Sequence, residues 1–486
     1  MKRYGHYING SYVQNEHFIE RVFPDPLHGP SAIAISTLSL NDPTSDELFE
    51  AALIGAHESW QQVQEGFFPL EERLDFLKRL SLSIDKHQEN FAQLLMRETH
   101  KPIKLARVEI SRALNTLNVC IKSAPQFLES KIFDHNKDWS LNHKVEIQRI
   151  PRGVILAISP FNFPVNLVAH KIFPAIACGS PVILKPSDKA PLSSLYMMDL
   201  CHHDRLPAGM LQLLHCENEV TEKLASDSRV SFVSFTGSSK VGWNLAKKVK
   251  VPFSLELGGN APVFVDENTD LKVAAKKISE GAFMHAGQSC ISVQNVYVHR
   301  NVAQEFTQHL QSEVEKFPYG NPENENVLCG APINIESLNR INNSLEQLQN
   351  QGGKILAQSK NYFGNHEDTA KYFSPTLISE ISESSFFCQE EIFAPLMSLT
   401  TLNSFDDFLK IAKSRTHRLQ CGLFTQNPAH IKKAHHLDYG GILINESSTF
   451  RIDAQPYGGQ GLAGVGREGP LYAMEDFTTY KTFIEN

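Results

Sequence analysis

From Val154 onward the chain alternates short, wholly apolar runs with stretches of helical periodicity, and that rhythm leaves few folds open. VILAI at Val154–Ile158 is followed by a helical stretch from Leu167 to Ala177, then by VIL at Val182–Leu184, which ends at Lys185. The pattern continues through Leu211–Leu214, another helical segment, and Val230–Phe235 before Thr236-Gly237. A strand that is apolar throughout needs cover on both faces, so such runs belong to a parallel sheet between helices. Ligands bind these sheets in the crevice beyond the carboxyl ends of the strands, which makes the residues there the first candidates for a site. After Gly258-Gly259 the alternation restarts with PVFVD at Pro262–Asp266, a helix to about Ala286, GQSC at Gly287–Cys290 and a strand at Ser292–His299. That predicts a second α/β unit.

Upstream, Asn9-Gly10 between β-formers signals a two-residue hairpin, because both residues tolerate the positive φ of a type I′ turn. From about Ser45 to Ala124 apolar residues recur at spacings of three and four, as in Leu70, Leu74, Leu77 and Leu80, the stripe of amphipathic helices on a core. Residues 361–368 read as a polar loop. FTTYKTFI at Phe477–Ile484 reads as a strand whose open edge invites aggregation, so pairing within the fold or across a subunit boundary is expected.

Composition narrows the functions. A chain of 486 residues predicts about two to four domains. A net charge of −8 offers no basic footprint to a phosphate backbone or an anionic membrane, which leaves a small molecule as the expected partner. The most apolar stretch, Phe161 to Leu184, is broken by His170, Lys171 and three prolines, so no membrane span is expected. Eight scattered cysteines, and an opening MKRYGHYINGSY unlike a signal peptide, lead us to expect reduced thiols in the cytoplasm.

Several strand ends carry chemistry. SFTGSSKVG at Ser234–Gly242 opens a helix whose N–H groups suit an anion, although its spacing matches neither the dinucleotide fingerprint nor a P-loop. PFNFP at Pro160–Pro164 and KPSD at Lys185–Asp188 follow strands of the same sheet and share its crevice. Lys185 suits a ribose hydroxyl or a phosphate; Asp188 suits a ribose 2′-OH, and its charge favours NAD over NADP. In GQSC, Cys290 follows a glycine turn, where a thiolate of lowered pKa can meet a substrate; the other seven cysteines read as buried and structural. In LELGGN, Glu256 stands between two leucines, company that raises a carboxylate's pKa toward that of a general base. No metal is called for.

These segments occur in one order along the chain: PFNFP, KPS from Lys185, FTGSSKVG from Phe235, LELGGN from Leu255, GQSC, EEIFAP from Glu390 and PYGGQGLAGVGREG from Pro456. Together they resemble the aldehyde dehydrogenase superfamily over nearly the whole chain. The resemblance implies an α/β fold with a Rossmann-like dinucleotide-binding domain at residues 1–128 and 151–257 and a catalytic domain at 258–461. It also implies a small β oligomerisation element at 129–150 and 470–486, and a homodimer or homotetramer. The implied reaction oxidises an aldehyde to its acid with NAD, or alternatively NADP, through a thiohemiacetal and a thioester. Cys290 is then the nucleophile and Glu256 the base that activates water against the thioester. The Asn162 side chain and the Cys290 N–H become the oxyanion donors. Lys185, Ser187 and Asp188 fall at the adenosine ribose, Gly237 and Ser238 at the pyrophosphate, and Glu391 and Phe393 at the nicotinamide ribose and ring.

The chain departs from the family pattern in three places. Phe161 stands where Trp is usual, which reshapes the substrate tunnel; Gly461 and Ala463 replace common Lys and Ser. Ser289 stands where phosphonoacetaldehyde-type relatives carry Arg. KPIKLARVEI at Lys101–Ile110 and STFRIDAQPYGG at Ser448–Gly459 look closest to the lactaldehyde, non-phosphorylating glyceraldehyde-3-phosphate and phosphonoacetaldehyde dehydrogenases. That group implies a small hydroxylated or anionic aldehyde, with Arg107 and Arg451 as candidate anion anchors unless they pair with carboxylates such as Glu109 and Asp453. Two rival classes remain: a cysteine hydrolase using nearby His285, and a catalytically silent structural relative.

Overall fold

The computed structural model describes residues 2–23, 31–132 and 143–485, so residues 133–142 of the expected oligomerisation element lie outside the described residues. The apolar runs after Val154 form the centre of an eight-stranded sheet, in the spatial order Gly464–Val465, Phe253–Glu256, Val230–Thr236, Val154–Ile158, Val182–Lys185, Leu211–Leu213, His6–Ile8, Ser11–Val13. The strands from Phe253 to Leu213 in that order are parallel, with antiparallel strands added at both edges. Chain order reverses beside Val154–Ile158, which pairs with Val182–Lys185 on one side and Val230–Thr236 on the other. Such a switch point opens a crevice at the carboxyl ends. Register then fixes what lines it: Lys185 lies level with Ile158, Ile158 with Phe235, and Thr236 with Glu256.

The expected helical region resolves into four helices, Pro43–Gln64, Leu70–Lys86, Gln88–Thr99 and Ile103–Leu128. Its leucine stripe packs inward, with Leu77 and Leu80 fully buried against Ile172 and Ile176 of the wholly buried helix Asn166–Cys178. The hairpin forms as expected, with Asn9 and Gly10 both at positive φ, 49° and 81°, and Ile8 paired with Ser11.

A seven-stranded sheet follows, in the order Lys354–Gln358, Thr376–Ser379, Leu396–Leu402, Val293–His299, Ala261–Val265, Gln420–Phe424, Gly441–Ile444. The helix expected to reach about Ala286 stops at Phe283, because His285 and Ala286 take left-handed φ of 54° and 56° in a tight 3-10 turn. The expected loop at 361–368 contains a short strand, Tyr362–Phe363, paired with Tyr319–Gly320. Thr478–Glu485 pairs antiparallel with Lys144–Pro151 along its whole length, which in turn pairs with Lys131–Ile132. That small sheet still exposes Tyr480, Phe483 and Ile484.

Candidate active site

The carboxyl ends of the first sheet face residues that immediately precede strands of the second, and a cavity of about 700 Å³ lies between them. Asn162 follows the strand Val154–Ile158 and Glu256 ends the strand Phe253–Glu256; Cys290 precedes Val293–His299 and Glu391 precedes Leu396–Leu402. All four line the cavity, with Phe161, Lys185, Ser187, Asp188, Gly237, Ser238, Phe393 and Arg451. The two glycines of LELGGN let the halves meet. A Cβ on Gly258 would fall 2.2 Å from Glu391 Oε2, and one on Gly259 would fall 2.6 Å from the Cys290 carbonyl oxygen. Neither position accepts a side chain.

Cys290 is the partly exposed member of eight free cysteines; the other seven are buried, as expected. Its thiol is not lowered in pKa, contrary to the expectation drawn from its turn. Burial pushes it up to about 12, with the hydrogen bond to Tyr457 and the charge of Arg451 pulling the other way. The sulfur lies 2.9 Å from Tyr457 Oη. Glu256 is buried, and neither carboxylate oxygen has a hydrogen-bond partner. Burial, reinforced by the charge of Glu468, holds it well above the usual carboxylate range, as its apolar neighbours predicted.

Asn162 is fixed through its backbone. Its carbonyl oxygen accepts from Lys101 Nζ at 2.7 Å and His285 Nε2 at 3.0 Å, and its Nδ2 donates to the Gln288 carbonyl at 3.0 Å. Lys101 is paired in turn with Glu109, whose other oxygen accepts from the Val165 and Asn166 N–H groups at the start of the helix Asn166–Cys178. No described residue accepts a hydrogen bond from the Cys290 N–H. His285 bonds to Asn162 rather than to Cys290, and burial lowers its pKa well below the usual histidine range. It does not form the dyad of a cysteine hydrolase.

The same cavity carries groups that suit a dinucleotide. The N-terminus of the helix Ser239–Ala246 opens there with Ser238 at the cap position making no side-chain capping bond, although the Gly237 N–H is spent on the Glu256 carbonyl oxygen at 3.0 Å. Ser159 Oγ, Thr236 Oγ1 and Glu391 Oε1 are buried, line the cavity and have no partner. Burial raises the Glu391 carboxyl to about 7, against a backbone hydrogen bond from Gly259. Lys185 Nζ lies 3.0 Å from Asp188 Oδ1, so the charge expected to repel a 2′-phosphate is partly met within the motif. Ser187 Oγ accepts from the Lys189 N–H at 3.3 Å. Phe161 packs edge-on to Phe393, with ring centroids 5.9 Å apart.

Of the two arginines read as anion anchors, one reaches the cavity. Arg107 does not: it is held outside by Glu89 at 2.7 Å and Glu325 at 2.6 Å, a surface ion-pair cluster. Arg451 lines the cavity, but its Nη2 lies 3.2 Å from Glu468 Oε2, not on Asp453. The carboxylate of Asp453 belongs to Arg112, a cavity residue the sequence reading missed, at 2.7 Å. Leu105, Val108 and Arg112 line the cavity at spacings of three and four on one helix, and that periodicity is the signal that points to Arg112.

Paired α/β sheets, with a half-buried cysteine and an unpartnered glutamate lining one cavity between them, suit an oxidoreductase. The chain belongs to the aldehyde dehydrogenase family, whose model matches residues 35–483. It is 32% identical over 489 residues to the 3-sulfolactaldehyde dehydrogenase of Priestia aryabhattai, covering 100% of this chain and 98% of that protein. It is 35% identical over 434 residues to the lactaldehyde dehydrogenase of Methanococcus maripaludis, covering 88% and 90%. Among solved structures, glyceraldehyde-3-phosphate dehydrogenase GapN from Methanocaldococcus jannaschii, complexed with NADP, matches with a TM-score of 0.88 and 31% identity over 97% of this chain and 100% of that one.

Proposed function

We propose that the protein oxidises a small hydroxylated or singly charged aldehyde to its carboxylic acid, with NAD as cofactor and NADP as the alternative. The observation that supports this best is that Cys290, Glu256 and Asn162 open on one cavity whose lining also holds unpartnered polar atoms and a helix N-terminus. Ser159 Oγ, Thr236 Oγ1 and Glu391 Oε1 are buried and unsatisfied, which fits a polar ligand lying across them. Lys185, Ser187 and Asp188 would hold the adenosine ribose, Gly237 and Ser238 the pyrophosphate, and Glu391 with Phe393 the nicotinamide end. When bound, the cofactor supplies a hydride acceptor.

The chain's own residues do the rest. The Cys290 sulfur attacks the aldehyde carbon, and the developing oxyanion is met by the Asn162 amide and the Cys290 N–H. Asn162 Nδ2 donates only one of its two hydrogens to Gln288, so a second is available. After oxidation a thioester remains on Cys290. Glu256, unpartnered and raised in basicity by burial, takes a proton from the water that hydrolyses it.

The substrate class follows from charge. Arg451 and Arg112 each carry a carboxylate partner, Glu468 and Asp453, so the cavity offers two guanidinium groups with little excess positive charge. Ser289, also at the cavity, adds no cation. Such a site suits one negative charge or a hydroxyl better than a dianion. The domain boundaries read from the sequence, a cytoplasmic location and assembly into a homodimer or homotetramer complete the proposal; the exposed Tyr480, Phe483 and Ile484 favour assembly.

The test is reduced-cofactor formation across an aldehyde panel of lactaldehyde, 3-sulfolactaldehyde, succinic semialdehyde, glyceraldehyde 3-phosphate, propanal and hexanal, each with NAD and NADP. The proposal expects the hydroxylated and singly charged aldehydes to lead. Equal efficiency for propanal and hexanal would overturn the substrate class, and no reduced cofactor with any aldehyde would overturn the reaction.

A further inference from the structure

The Cys290 sulfur sits in a setting that opposes its ionisation, since burial pushes the thiol up to about 12. A nucleophile in such a place needs a donor for the thiolate. No hydrogen bond joins it to either oxyanion donor: Asn162 Nδ2 is bonded to Gln288, and the side-chain partner of the sulfur is Tyr457 Oη at 2.9 Å.

Tyr457 is held from several directions. It is 4% exposed and packs with Ile291, Leu419 and Ala463. The Arg451 guanidinium carbon stands 3.8 Å over the centre of its ring. Its backbone N–H donates to the Glu468 carbonyl at 2.9 Å, and the Glu468 N–H donates back to its carbonyl at 2.6 Å. A hydroxyl fixed by ring and backbone together is preorganised, and loses little entropy when it makes its bond. Burial also keeps the phenol well above its ordinary pKa, so it remains an O–H donor at working pH. The contact serves both states of the sulfur: the thiol donates to Oη, and the hydroxyl rotates to donate once the sulfur is ionised.

We propose that Tyr457 is a further catalytic residue, whose hydroxyl donates a hydrogen bond to the Cys290 thiolate and holds the nucleophile in its reactive form before attack. It neither gains nor loses a proton; the thiol proton leaves to solvent. This rests on the reading of Cys290 as the nucleophile. Its counterpart is a purely structural Tyr457 that fills space against Arg451, a role Phe performs equally well.

The experiment is the pH profile of iodoacetamide inactivation of the cofactor-free enzyme, wild type against Tyr457→Phe, with the alkylated residue located by peptide mass mapping. A charge-assisted bond lost from the thiolate lowers the alkylation rate by about tenfold to a hundredfold at each pH below the thiol's midpoint. kcat/KM with the best aldehyde falls about tenfold to a hundredfold at pH 7, while the thermal midpoint stays at the wild-type value. Superimposable alkylation profiles would overturn the assignment. Stoichiometric alkylation of Cys290 in the wild type without loss of turnover would overturn the nucleophile reading, and this assignment with it.

Discussion

Glu256 Oε1 lies so close to Gly458 that a Cβ added to that glycine would fall 2.6 Å from it. The proposed base at the end of one sheet is therefore confined by a loop more than 200 residues away. Gly458→Ala must move the carboxylate, or move Gly466 and Arg467, which lie at 2.8 and 3.0 Å from the same methyl. A displacement of about 1 Å costs up to about a hundredfold in rate. We expect Gly458→Ala to slow thioester hydrolysis while hydride transfer in the first turnover persists. Stopped-flow measurement of both phases checks this.

The two arginines five residues apart on the helix Ile103–Leu128 differ in consequence. Five residues turn a helix by about 140° beyond a full circle, so Arg107 and Arg112 cannot face the same way. Arg112→Ala and Arg451→Ala are expected to lower kcat/KM for the anionic aldehydes by about tenfold or more, relative to propanal. Arg107→Ala, which breaks an exposed cluster with Glu89 and Glu325, is expected to leave the ratio unchanged. Steady-state kinetics on the same aldehyde pair decides.

The proposed hold of Glu391 on the nicotinamide ribose predicts a pH dependence of cofactor binding. Burial raises its carboxyl to about 7, so the free enzyme holds it protonated below that pH, whereas a ribose hydroxyl is best accepted by the ionised form. Binding must then release a proton. The cofactor KM is expected to rise as pH falls below about 7, by up to about tenfold per unit. Glu391→Gln should raise KM at high pH and flatten the profile. A wild-type KM constant from pH 5.5 to 8 would remove Glu391 from that role.

Lys101 and Glu109 form a fully buried ion pair that ties the helix Ile103–Leu128 to the segment carrying Asn162. Removing one partner leaves the other charge buried and unpaired. Lys101→Met is expected to cost about 3–5 kcal/mol of stability by denaturant titration. The double replacement of both partners by apolar residues should recover much of that loss but not the turnover, because the Asn162 carbonyl keeps His285 and still lacks its second donor, Lys101.

The parts of the site that follow strands were legible in the sequence. Asn162, Lys185 and Glu256 sit in short contiguous motifs whose place at a carboxyl end follows from the apolar run before them. What escaped depends on contacts between distant segments. Whether Arg451 or Arg112 takes Asp453 is set by the packing of the helix Ile103–Leu128 on the C-terminal loop, and no spacing encodes it. The direction of the Cys290 shift was misread because a glycine turn suggests exposure, whereas burial raises the thiol, with the charges of Glu391 and Glu256 adding to it and the Tyr457 bond opposing it. The register that levels Lys185 with Ile158, and Thr236 with Glu256, also belongs to the assembled sheet.

The central claim is that oxidation passes through a thioester on Cys290 which Glu256 resolves. Glu256→Gln tests it most directly, by rapid quench with a saturating aldehyde and cofactor followed by intact mass and peptide mapping. The account predicts a burst of about one equivalent of reduced cofactor per subunit, an acyl adduct on Cys290, and slow steady-state turnover, with neither burst nor adduct in Cys290→Ala. A Glu256→Gln enzyme that turns over at the wild-type rate, or that loses its burst and shows no adduct on Cys290, would contradict it.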